Sequence, residues 1–110
     1  MKRWFAAVAL CAAASAGAQS PDAGKRAYTS YCARCHGIEL RVGSSAFFDL
    51  RTFPKDDKAR FIESVTNGKR AMPAWKDIVT PEQMDAIWAY IGQVNCWYLA
   101  RRAVSVSLVS

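Results

Sequence analysis

Five residues, Cys32-Ala33-Arg34-Cys35-His36, constrain this chain more than any others. The order C-x-x-C-H is the attachment signature of a c-type haem. Two thiols on one short helical turn can each add to a vinyl group of the same porphyrin. The adjacent imidazole then lies under the iron and can take one axial position. Two other readings use the same residues. A zinc site would need a fourth ligand, and the chain has a single histidine. Outside the amino-terminal leader it has one further cysteine, the distant Cys96. A dithiol redox pair would leave His36 without a purpose. Covalent haem capture by Cys32 and Cys35 is therefore the expectation.

The amino terminus reads as a secretory signal. Lys2 and Arg3 are followed by an apolar run from Trp4 to Ala14 and the small-residue site Ala16-Gly17-Ala18. The run falls short of the roughly 20 residues that span a bilayer. Cleavage after Ala18 is expected, giving a signal at residues 1–18, export to the periplasm and no membrane anchor thereafter. Cys11 lies inside this signal behind Leu10, not behind the small residue that precedes a lipidated cysteine. Cleavage would remove two of the 15 basic residues and leave 13 against 9 acidic ones. Such a mildly basic chain favours acidic protein surfaces. It lacks the dense Lys/Arg run of a nucleic-acid binder. A domain this small buries little apolar surface by itself, so a large porphyrin would supply much of its core.

Three helices are expected, and no strand pair. Ser20-Pro21-Asp22 opens the first, with Ser20 as N-cap and Pro21 at the first helical position. It should run to about Ala33, deliver the thiols and end at Gly37. Residues 37–56 look irregular, yet Phe47, Phe48, Leu50 and Phe53 are too apolar for an exposed loop. Asp57 caps a second helix over roughly Lys58–Asn67, with Phe61, Ile62 and Val65 as its apolar stripe. Thr80, Pro81 and Gln83 start the last helix with a capping box. Its stripe is Met84, Ile87, Trp88 and Ile91, and Gly92 is the expected stop. The domain is thus placed at residues 19–92. Residues 93–110 form an extension, peripheral or poorly ordered, in which Val or Leu alternates with Ser near the end. A lesser reading of that tail is a partner contact or a dimer through Cys96; a monomer is the main expectation.

With these elements placed, the chain resembles the class I cytochromes c, the small monohaem type, from roughly Pro21 to Gly92. Ala23-Gly24-Lys25 with Tyr28 looks like the first helix of that family, and Ile87-Trp88-Ala89-Tyr90-Ile91 like its last. The resemblance implies an all-α fold of three main helices around one covalent haem c. It also implies that the outer helices cross, with Gly24 and Tyr28 against Ile87 and Tyr90. Gly68-Lys69-Arg70-Ala71-Met72-Pro73 resembles the distal loop whose methionine is the second axial ligand. That makes His36 and Met72 the iron ligands; the rival, Met84, sits at a core-stripe position. In many members a proline lies twelve residues after the haem histidine, and its carbonyl accepts a hydrogen bond from the imidazole. Here that position is Phe48, which offers a carbonyl without the fixed φ of proline.

The implied function is a soluble electron carrier, not an enzyme: a one-electron shuttle between Fe(II) and Fe(III). Phe47, Phe48, Leu50, Phe61, Trp75 and Trp88 would keep water from the haem. Arg51 and Trp75 are candidate propionate partners, against the plainer reading of a solvated arginine and a core tryptophan. Lys25, Lys69, Arg70 and Lys76 would ring the haem edge and steer acidic redox donors and acceptors. The stretch from Asp49-Leu50-Arg51 to Trp75 also looks like small periplasmic cytochromes that serve quinoprotein alcohol dehydrogenases. A quinoprotein dehydrogenase and a terminal oxidase are therefore the expected partners, with no nucleic acid. Two alternatives stay open: a dedicated haem subunit or docking module of a dehydrogenase or oxidase, and an open-site sensor or peroxidase should Met72 not bind.

Overall fold

The first helix begins where Ser20 can satisfy one of its orphan amides: the hydroxyl accepts the Asp22 N–H at 3.2 Å. In this computed structural model, which describes residues 20–109, helix α1 spans Pro21–Tyr31. The expected signal, residues 1–18, lies outside the described residues. Cys32 breaks the helix at φ −111°, and a separate turn, α2, spans Ala33–His36. The first helix is thus two residues shorter than expected, and the turn that carries Cys35 and His36 is its own element. Gly37, at φ 86°, reverses the chain. A Cβ there would fall on the Arg41 carbonyl, so only glycine fits.

Short 3₁₀ turns at Ile38–Leu40 and Leu50–Thr52 punctuate the irregular stretch. Helix α3 then covers Lys58–Asn67, started by the Asp57 carboxylate accepting the Arg60 N–H at 3.1 Å. Helix α4 opens on the expected capping box. The Thr80 N–H donates to Gln83 Oε1 at 2.9 Å, and the Gln83 N–H donates to Thr80 Oγ1 at 3.1 Å.

Helix α4 spans Pro81–Val109 and does not stop at Gly92. A mid-helix glycine costs about 1 kcal/mol, too little to end a helix that is held on both sides of it. Val94 packs on the core, and Asn95 is 2% exposed. The Ser/Val alternation further on has the period of a strand. A strand would need a partner, however, whereas a helix bonds its own backbone. Among the described residues there is no strand, only a single bridge between Lys69 and Met72. The architecture is all-α, as expected, with four helical segments among the described residues in place of three.

The core forms where α1 crosses α4. A Cβ on Gly24 would fall on the Ala86 carbonyl and come within 2.9 Å of the Tyr90 Cβ. The missing side chain is what lets the two axes approach. Four residues on, Tyr28 packs on Tyr90 with ring centroids 5.3 Å apart. Tyr28 and Ile87 are almost completely buried, joined by Ala27, Val79, Met84 and Ile91. The glycine faces Ala86 and Tyr90, one position from the Ile87 contact implied by the family resemblance. Helix α3 adds Phe61 and Val65, and Lys58 on its exposed side pairs with Asp85 of α4 at 3.0 Å.

Candidate functional site

The motif folds as little more than one turn of helix. The Cys35 and His36 amides both donate to the Cys32 carbonyl, at 3.2 and 2.9 Å. Positions 32, 35 and 36 therefore share one face. Both thiols are free, Cys32 half-buried and Cys35 exposed. Burial, with Cys35 alongside, pushes the Cys32 thiol up to about 12. No three His, Cys, Asp or Glu side chains converge as a metal cluster among the described residues.

The histidine is oriented by its own second nitrogen. His36 Nδ1 lies 2.9 Å from the Phe48 carbonyl oxygen. A carbonyl can only accept, so Nδ1 carries the proton and Nε2 presents its lone pair. An imidazole held in this way is set up to bind a metal through Nε2, and the hydrogen bond strengthens it as a ligand. Behind it, the Tyr28 hydroxyl donates to the Gly37 carbonyl at 2.7 Å. Burial raises the Tyr28 phenol above its ordinary range, so it stays a donor. Two long-range bonds thus hold the end of α2.

Phe48 is half exposed, at 49%, and Phe47 and Ile38 are exposed too. Leu50 is half-buried beside the core. Phe53, which the sequence singled out only as apolar, is the hub of an aromatic cluster. It meets Phe48, Phe61 and Trp88 edge-on at 6.0–6.3 Å, with the Arg60 guanidinium 5.0 Å from its ring centroid.

The Met72 loop is a tight structure in its own right. The Lys69 and Met72 backbones exchange two hydrogen bonds at 3.1 and 3.0 Å around Arg70, whose φ is 54°. Gly68, at φ 79°, lies so close beneath that a Cβ would come within 2.7 Å of the Met72 carbonyl oxygen. The Trp75 N–H then ties the loop to α3 by donating to the Val65 carbonyl at 2.8 Å. Met72 is half-buried. Met84, in contrast, is 4% exposed, and its sulfur accepts the Thr66 hydroxyl at 3.7 Å. Trp75 is half-buried and meets Tyr31 edge-on at 5.8 Å.

Arg51 is turned on its neighbour: Nε and Nη2 fork onto the Asp49 carboxylate at 3.0 and 2.9 Å. This pairing holds the Asp49 carboxyl below its ordinary range. The sequence reading missed Asp49. Its signal was there, since an Asp two residues before an Arg is an Asx-turn pattern. Lys25, Lys69, Arg70 and Lys76 are all exposed. The residues present fit a c-type haem: two free thiols and an oriented imidazole on one face, with exposed aromatic surface beside them.

Such a site and an all-α fold define a haem-attachment domain. Residues 19–91 match the family model described as cytochrome c oxidase, cbb3-type, subunit III. The chain is 34% identical to cytochrome c6 of Bryopsis maxima, over 64% of this chain and 86% of that one. It is 37% identical to cytochrome c550 of Pseudomonas aeruginosa, over 67% and 55%. It is 35% identical to quinohemoprotein alcohol dehydrogenase ADH-IIG of Pseudomonas putida over 66% of this chain, but that match spans only 10% of the dehydrogenase. No solved structure matches. The chain belongs to the cytochrome c family, as a monohaem member. Its cofactor is one covalently bound haem c with its iron, and its class is haem electron carrier, not enzyme.

Proposed function

We propose that this protein is a soluble periplasmic electron carrier whose haem is held by Cys32 and Cys35 and ligated by His36 and Met72. The observation that carries the reading is the His36 hydrogen bond, which turns a bare Nε2 out from the same face as two free thiols. Haem c, when bound, supplies one-electron exchange between Fe(II) and Fe(III). The chain's own residues do the rest. Cys32 and Cys35 hold the group irreversibly as thioethers. Met72 is favoured over Met84 because Met84 is locked in the core, while Met72 sits on a braced loop. Its thioether would favour ferrous iron, raise the potential and close the sixth position to small ligands. Phe48, Leu50 and Trp75 would exclude water from the haem face. Arg51, alongside its Asp49 contact, and Trp75 would reach the propionates.

Among the described residues no helix is long and apolar enough to cross a membrane. The exposed Lys25, Lys69, Arg70 and Lys76 would attract an acidic redox partner and let it go quickly. A quinoprotein dehydrogenase as donor and a terminal oxidase as acceptor suit that role. A second reading, a dedicated haem module of a dehydrogenase, is favoured by the match to one short segment of ADH-IIG. The test is the rate of reduction by a substrate-reduced quinoprotein dehydrogenase, read against ionic strength. A shuttle steered by charge slows as salt rises. A salt-independent rate that is lost on deleting residues 99–110, which leaves Val94 and Asn95 in place, would favour the dedicated module.

A further inference from the structure

The Phe48 carbonyl orients His36, yet nothing about Phe48 itself holds that carbonyl still. Its side chain is 49% exposed, and neither Phe48 nor Asp49 is a proline. The neighbouring turn is fixed with unusual thoroughness. Phe48 and Asp49 share one planar peptide unit, so fixing the Asp49 backbone fixes the direction of the Phe48 carbonyl. The Asp49 carboxylate accepts the Arg51 amide at 3.0 Å and takes the Arg51 fork as well. The Asp49 carbonyl accepts both the Thr52 amide, at 3.0 Å, and the Thr52 hydroxyl, at 2.7 Å. From the other side the Asn95 amide nitrogen donates to the Leu50 carbonyl at 3.3 Å.

Asn95 is an unusual residue to bury. It lies three positions past Gly92, outside the segment that matches the family model. Its Oδ1 is buried and has no hydrogen-bond donor among the described residues. A half-satisfied buried amide is a poor choice for stability alone.

We propose that Asp49 and Asn95 are positioning residues for the haem histidine: they brace the 48–52 turn from two sides and so fix the Phe48 carbonyl against His36 Nδ1. The proposal rests on the haem reading above. It gives the part of α4 beyond Gly92 a task at the site. A looser carbonyl is a weaker acceptor, the imidazole becomes less basic, and ferric iron loses part of its stabilisation.

The test uses the full-length matured protein. Wild type is first checked for covalent haem by mass, and a protein without haem refutes the haem reading, not this brace. Exchange of the His36 ring N–H with deuterium is then followed by NMR in the ferrous state. Asp49→Asn and Asn95→Ala are compared with Asp56→Asn, an exposed carboxylate carrying the same charge change. The brace predicts exchange faster by about tenfold in the first two variants and unchanged in the third. It also predicts a raised reduction potential in Asn95→Ala, where no charge is altered. Exchange in Asp49→Asn no faster than in Asp56→Asn would overturn the proposal. So would an unshifted potential in a folded Asn95 variant, with Asn95→Leu replacing the alanine change should that one fail to fold.

Discussion

Replacing Gly24 should be costly for so small a change. A methyl group there meets backbone, the Ala86 carbonyl, which cannot rotate aside. Gly24→Ala should therefore pry α1 from α4 and destabilise the protein by about 3 kcal/mol, read as a shift in the denaturant midpoint at unchanged slope. Tyr28→Phe keeps the ring stack on Tyr90 and loses only the bond to the Gly37 carbonyl, so about 1 kcal/mol is expected. Asp49 carries a pH signature. Its folded carboxyl titrates below the ordinary value, so the pairing with Arg51 contributes fully above about pH 4. The contribution fades as pH falls through the depressed value. Acid unfolding of Asp49→Asn should accordingly show a shallower loss of stability below pH 4 than wild type. Cys32, Cys35 and His36 were legible from sequence because their chemistry needs a fixed order. Asp49 showed only the local signal of an Asx turn, and Asn95 showed none, because its bond to the Leu50 carbonyl depends on how α4 packs in space.

Helix starts were the most legible elements. Ser20, Asp57 and Thr80 each cap as their side chains dictate. Helix ends were less so: Cys32 breaks α1 early, and α4 runs through Gly92 because tertiary contacts at Val94 and Asn95 outweigh one glycine. The two methionines separate by the element that carries each. Met84→Leu, a volume-conserving change in a buried helix face, should cost less than about 1.5 kcal/mol and leave the iron spectrum intact. Met72→Ala should abolish the ferric methionine–iron band and admit carbon monoxide. A spectrum that responds instead to the Met84 change would exchange their roles.

The whole molecule is built as half a core. The crossing of α1 and α4 is well buried, whereas Ile38, Phe47 and Phe48 remain exposed around the attachment turn. A chain of this size has little surplus stability, and a covalent porphyrin would add the apolar surface that these side chains lack. The double variant Cys32→Ala, Cys35→Ala should therefore show no cooperative thermal transition under conditions where the haem-loaded protein melts sharply. The sequence indicated the all-α class through three capped amphipathic stretches. It did not reveal the aromatic hub at Phe53, since nothing in an aperiodic loop says which apolar residue will lie at the centre.

The proposed site holds a single c-type haem through Cys32 and Cys35, with His36 and Met72 on the iron. The absorption spectrum of protein matured with haem, ferric and then reduced, tests it most directly. With His36 and Met72 both bound, the haem should be covalently retained and low-spin, with a weak ferric methionine–iron band and no response to carbon monoxide. A high-spin spectrum that changes on adding carbon monoxide or peroxide would contradict it and make this an open-site haem protein.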